Sequence, residues 1–168
     1  EENLNKLGIA DKIVDIRVSI PSCIEDTYNK IVRNGNFNAV MTNLKYVSDL
    51  KKKGVIKVFH LNCVLTSWNY KDLIPLTKFA KEIGACVHVM IAKDMGQGTK
   101  FLNQLDKYLI TNSTHPEYNE FVKIMNNPII KDNNDFLITD SFKHLHPLSF
   151  ATVIKNKINF YKKYGWNK

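Results

Sequence analysis

Arginine is almost missing from this chain of 168 residues, where Arg17 and Arg33 are the only two among 24 Lys and Arg residues. A guanidinium grips carboxylates and phosphates with two parallel hydrogen bonds, so each of the two asks for a reason. Cysteine is scarce as well. Cys23, Cys63 and Cys86 are odd in number, far apart and without CxxC or Cys/His spacing, which points to neither a disulfide framework nor a zinc site. No apolar run approaches the roughly 20 residues of a membrane helix, and no signal-peptide pattern opens the chain. The expectation is a cytoplasmic protein with reduced thiols. Acidic residues stop at Asp140, while Lys143, Lys155, Lys157, Lys162, Lys163 and Lys168 follow, and this tail carries most of the net charge of +8.

What is present is an ordinary globular composition, 44% hydrophobic and 11% aromatic, enough for a real core. The organising stretch is Ile13 to Asn43. Its strand, about 13–20, alternates strictly, with Val14, Ile16, Val18 and Ile20 on one face and Asp15, Arg17 and Ser19 on the other. A helix from Glu25 to about Val32 and the turn Asn34–Gly35–Asn36 follow. Asn36 can cap the next helix, which runs to about Lys53 before Gly54. A second strand spans about 56–65 and a helix about 70–83, with Asn69 as its cap. A third strand covers about 85–92. Strands alternating with helices predict βαβ units and a parallel sheet.

After Ala92 the regularity stops. A glycine-containing loop occupies 93–99, helical segments are expected at about 99–110 and 115–126, residues 126–135 read as loop, and Phe136–Thr139 fits a short strand. The last segment places Ala151, Ile154, Ile158 and Tyr161 on one helical stripe with lysines opposite. The expected fold class is α/β, a partial TIM-type barrel of three parallel βα units (a half-barrel) over residues 1–97, followed by a mostly helical extension over 98–168. Residues 1–8 resemble the tail of a helix, and the opening Glu1 hints at a product cut from something longer.

Side by side, the three strands gather Asp15, Arg17, Ser19, His60, Asn62, His88 and Met90 on the face away from the helices. In a barrel of βα units that face is the lumen, and ligands sit at the C-terminal strand ends, nearest Ser19, Asn62, Met90 and Ala92. Arg33 ends the first helix, where it can complement the helix dipole or bind an anion beside the strand ends. His115, His144 and His146 read as surface histidines.

The run Ser19-Ile20, Glu25-Asp26-Thr27-Tyr28, Ile31, Arg33, Gly35, Phe37, Val40, Asn43 and Leu44 resembles the fourth strand and following helix of radical S-adenosylmethionine (radical SAM) enzymes. The pattern there is close to SID…ETY..IR.GG.F..V..NL. The similarity continues through Val64-Leu65, Asn69-Tyr70-Lys71-Asp72-Leu73 and Ala80-Lys81-Glu82-Ile83-Gly84, and covers roughly residues 5–100. It implies that Ser19 and Arg33 bind the carboxylate and ribose end of S-adenosylmethionine, and that Asn62 and the backbone near Met90–Ala92 lie by the nucleoside. Pro21 stands where the family often has Asp.

The family's CxxxCxxC loop, which holds a [4Fe–4S] cluster, is absent, as are its first three strands and glycine-rich turn. The scattered cysteines do not replace that loop. The resemblance therefore implies the C-terminal portion of a radical enzyme, inactive as this chain alone, whose cluster belongs to a missing N-terminal half. Its substrate could be a peptide, a sugar or a small molecule. Two other readings stay open. One is a catalytically inactive remnant that binds or assembles, pairing with a second half-barrel. The other is a nucleic-acid or membrane-surface binder using the basic last segment, whose lysines are interleaved with Phe150, Phe160, Tyr161, Tyr164 and Trp166.

Overall fold

The computed structural model describes residues 13–92, 105–133 and 135–139. In chain order these form β1 (Asp15–Ser19), α1 (Glu25–Ile31), α2 (Phe37–Lys52), β2 (Val58–Leu65), a 3-10 turn (Tyr70–Asp72) and α3 (Leu73–Glu82). Then come β3 (Cys86–Ile91), α4 (Leu105–Tyr108), α5 (Tyr118–Met125), α6 (Pro128–Lys131) and β4 (Phe136–Thr139). The strands make one all-parallel sheet in the order β1-β2-β3-β4. Each strand lies beside its predecessor, as consecutive βα units require.

One expectation is met and another corrected. The short strand expected at Phe136–Thr139 is present as β4, and it pairs in parallel with β3 and extends the sheet to four strands. Its FLIT sequence is apolar and β-prone, and it covers a β3 edge that would otherwise expose unpaired backbone groups. The stretch 126–135, read as loop, holds the single turn α6. Pro128 opens that turn where its missing N–H costs nothing, and Asn127 caps it by accepting the Ile129 N–H at 3.0 Å.

The alternation seen in the sequence becomes the two faces of the sheet. On the covered face Val18, Leu61, Val87 and Phe136 stand in one register row, and Cys63 with Val89 in the next. Against them pack Leu44, Val47 and Leu50 of α2 and Leu73, Leu76 and Ala80 of α3, with Phe121 and Ile130 completing the cluster. The 16 residues of α2 rise about 24 Å, enough to run the length of the sheet. Its last turn lies by the start of β2, where Val55 N–H donates to Leu50 and Lys57 N–H to Val14. Its first turn is therefore at the opposite end, beside the C-terminal ends of the strands. Gly54 and Gly84, at φ +73° and +70°, close α2 and α3 in the left-handed conformation that glycine adopts without strain.

Residues 1–12, 93–104, 134 and 140–168 lie outside the described residues, and with them the expected helix end at 1–8, the glycine loop, His144, His146 and the basic last segment.

Candidate functional site

The second face of the sheet is graded from closed to open. Along β2, Val58 and His60 are buried, Asn62 is half-buried and Val64 is 47% exposed. Along β3, Cys86 is buried while His88 and Met90 are half-buried. On β1, Ser19 is exposed. Along β2 and β3 the face opens toward the C-terminal strand ends, while on the edge strand β1 Arg17 is exposed as well as Ser19.

Its rows follow from the register. Asp15 with Val58 forms the innermost one, Arg17, His60 and Cys86 the deep one above it, Ser19, Asn62 and His88 the middle one, and Val64 with Met90 the outermost. In the deep row Arg17 donates to the Asp15 carboxylate at 2.9 Å, and the same carboxylate stands 3.8 Å from His60 Nε2. Burial pushes the His60 imidazole from 6.5 down to about 4; Asp15 opposes the shift, and Arg17 and His88 add to it. His60 is therefore a neutral imidazole at neutral pH.

In the middle row His88 Nδ1 lies 3.3 Å from Asn62 Oδ1. An amide oxygen only accepts, so this contact selects the His88 tautomer protonated at Nδ1. It leaves the Asn62 NH2 group, which makes no hydrogen bond among the described residues, as a donor for a ligand.

The loops above these rows are tied together by Asn69. Expected as a helix cap, it makes no capping bond. Its side chain instead locks the strand end, since the local turn brings Thr66 N–H within 2.8 Å of Oδ1. Its amide NH2 donates to the Pro21 carbonyl at 3.0 Å and the Val64 carbonyl at 2.9 Å. Beside it, Ser22 donates to Asp72 at 2.6 Å and accepts the Ile24 N–H. These bonds join the β1 and β2 loops across about fifty residues of sequence, so no local pattern announced them. Trp68, 41% exposed, sits at the same loop with Tyr108 edge-on at 4.9 Å and Lys30 over its ring at 5.3 Å. A lone Trp in a polar loop was the one available signal.

Of the residues expected at a cofactor site, the structure brings Ser19 and Asn62 into one register row, and puts Met90 on the same face one row out. Ala92 follows directly after β3. Arg33 is exposed in the turn between α1 and α2, at this same end, and makes no hydrogen bond or ion pair among the described residues. That turn depends on Gly35. A Cβ there would stand 2.7 Å from Val32 Cγ1 and 2.8 Å from the Tyr28 hydroxyl, and Tyr28 itself packs on Phe37.

A hydroxyl, an amide and an uncommitted guanidinium suit a carboxylate and a ribose. The cysteines do not suit an iron–sulfur cluster. Cys63 lies on the covered face and Cys86 on the other. Burial, seconded by the Asp72 charge, raises Cys23 to about 11 and Cys63 to about 12, away from the thiolate that binds metal. Among the described residues no group of three or more His, Cys, Asp or Glu could hold a metal ion, and no helix is long and apolar enough to cross a membrane. No family model, curated protein or solved structure matches the chain.

Proposed function

We propose that the open end of the graded face binds S-adenosylmethionine, as the corresponding part of a radical SAM barrel does. Ser19 and Arg33 take the carboxylate and ribose end, and Asn62 with Met90–Ala92 lies beside the nucleoside. The observation that carries this reading is the gradient itself. The face opens where Ser19, Asn62 and Met90 gather, and Arg33 stands at that end with its charge uncommitted. The sequential parallel order of the strands also suits a segment of a TIM-type barrel. The [4Fe–4S] cluster would be held by a separate N-terminal half, and it would supply the electron that cleaves the bound cofactor. This chain's residues would hold and orient that cofactor.

An assembly module is the second reading, favoured by the outer edge of β1, which pairs with no strand among the described residues and so offers a seat for a second half-barrel. Calorimetric titration of S-adenosylmethionine tests the first. Binding is expected, with Arg33→Ala weakening it about tenfold, the scale of one lost charge-assisted contact. Unchanged affinity in Arg33→Ala removes the role of that residue. No binding to the unsubstituted chain removes the cofactor reading and leaves assembly.

A further inference from the structure

A second space lies away from the open face. A cavity of about 630 Å³ separates α3 from α6 on the covered side of the sheet, near the N-terminal end of β3. Ala80, Ala85, Val87, Pro128 and Ile129 supply its apolar lining. The volume falls within the range of small-molecule sites.

Its charges are placed on opposite walls. Lys78 and Lys81, three residues apart and so neighbours on α3, line one side. Asp132 lines the other, with Asn133 and Asp135 beside it. The side chains of Lys78, Lys81 and Asp132 make no hydrogen bond or ion pair among the described residues. Hydrogen bonds tie the Asp132 wall to the sheet. Asn133 Oδ1 accepts the Asp135 N–H at 2.9 Å, and the Asp135 carbonyl accepts from Val87 N–H at 2.8 Å, which fastens the loop to β3. Ala80 and Ala85 keep the floor free of side chains that would fill it.

Two lysines facing an aspartate across a small apolar floor suit a ligand with a negative end, a short apolar body and a positive end. We infer that this cavity binds short peptides through their free termini, with the C-terminal carboxylate at Lys78 and Lys81 and the N-terminal ammonium at Asp132. A tripeptide of small residues, about 10 Å long when extended, is small enough for a space of about 630 Å³. Of the two aspartates on the lining, Asp135 already accepts from the Cys86 thiol at 3.8 Å, which leaves two lysines against Asp132 and makes the carboxylate the dominant anchor. Nothing in this site depends on S-adenosylmethionine, which belongs to the opposite face and the opposite end of the sheet.

The test is an NMR titration of the isotope-labelled chain with trialanine, and in parallel with N-acetyl-trialanine amide, which has the same body and no charged ends. Trialanine is expected to shift the amides of Ala80, Ala85 and Val87, with the blocked peptide at least about tenfold weaker. The double variant Lys78→Gln/Lys81→Gln alters only exposed positions and is expected to fold normally and to lose the trialanine response. Asp132→Asn is expected to weaken it less. Equal binding of both peptides, shifts confined to Ser19, Asn62 and Met90, or no shift at about 20 mM peptide would each overturn the proposal.

Discussion

The two faces of this sheet are built from the same strands and differ in every physical respect. The covered face is a row-by-row apolar contact with α2 and α3, in which Leu61 and Phe59 have no exposure at all. The other face carries Asp15, Arg17, His60, Asn62 and His88, and along β2 and β3 its burial fades toward the C-terminal strand ends. The first face is where folding free energy is concentrated. The second tolerates polar groups that do little for stability, and that is where chemistry can be placed.

Substitutions should separate these roles, beginning with the largest effect. Leu61→Ala removes a fully buried side chain from the central row, and should cost about 3–4 kcal/mol in urea unfolding. A cost under about 1 kcal/mol would mean that the covered face is not the core. Asn69→Ala comes next. It leaves the Pro21 and Val64 carbonyls and the Thr66 N–H without their partner, an expected loss of about 2–3 kcal/mol. It should also disorder the open end, so S-adenosylmethionine affinity should fall with stability, whereas Leu61→Ala should leave the affinity of the folded fraction alone.

A pH experiment sharpens the contrast further. The folded His60 has its pKa held at about 4, below the ordinary 6.5, by burial first and by Arg17 and His88 next. The unfolded chain therefore takes up a proton that the folded one refuses. Stability is complete above pH 6.5 and is lost as pH falls toward 4, by an amount on the order of 2 kcal/mol. The difference between the native chain and His60→Gln, followed by chemical denaturation across that window, should show this slope. Parallel pH curves for the two proteins would mean that His60 is not held neutral. The smallest effect belongs to Arg17→Ala. Its ion pair with Asp15 is half open to solvent, so its loss should stay within about 0.5 kcal/mol and shrink further in salt.

Much of this was legible in advance, for a reason that lies in the strands. A side-chain period of two states which residues share a face, whatever the neighbouring strand turns out to be. Ile16, Val18, Phe59, Leu61, Val87 and Val89 could therefore be set against Arg17, Ser19, His60, Asn62 and His88 from the order of residues alone. Helices ended by Gly54 and Gly84, and a cap at Asn36 whose Oδ1 accepts the Ala39 N–H at 2.9 Å, were visible as well, because capping is local.

The local rules failed where partners are remote. Asn69 looked like a cap because Asn before a helix usually is one, yet the Pro21 carbonyl, 48 residues away, claims its amide. Ser22 and Asp72 gave no hint of each other, and neither did Tyr70 and Glu120, joined at 2.7 Å. The one-turn α6 is too short to show a helical period.

The sequence by itself determined the βα alternation, the division of each strand into an apolar and a polar side, and the turns at Gly54, Gly84 and Asn36. Each of these follows from residues within a few positions of one another. Only the tertiary structure decided that the polar side closes at His60 and opens at Ser19, Asn62 and Met90, that β4 joins the sheet, and that a charged cavity lies between α3 and α6. Those features depend on which surfaces meet, and burial is a property of neighbours that no stretch of chain carries alone.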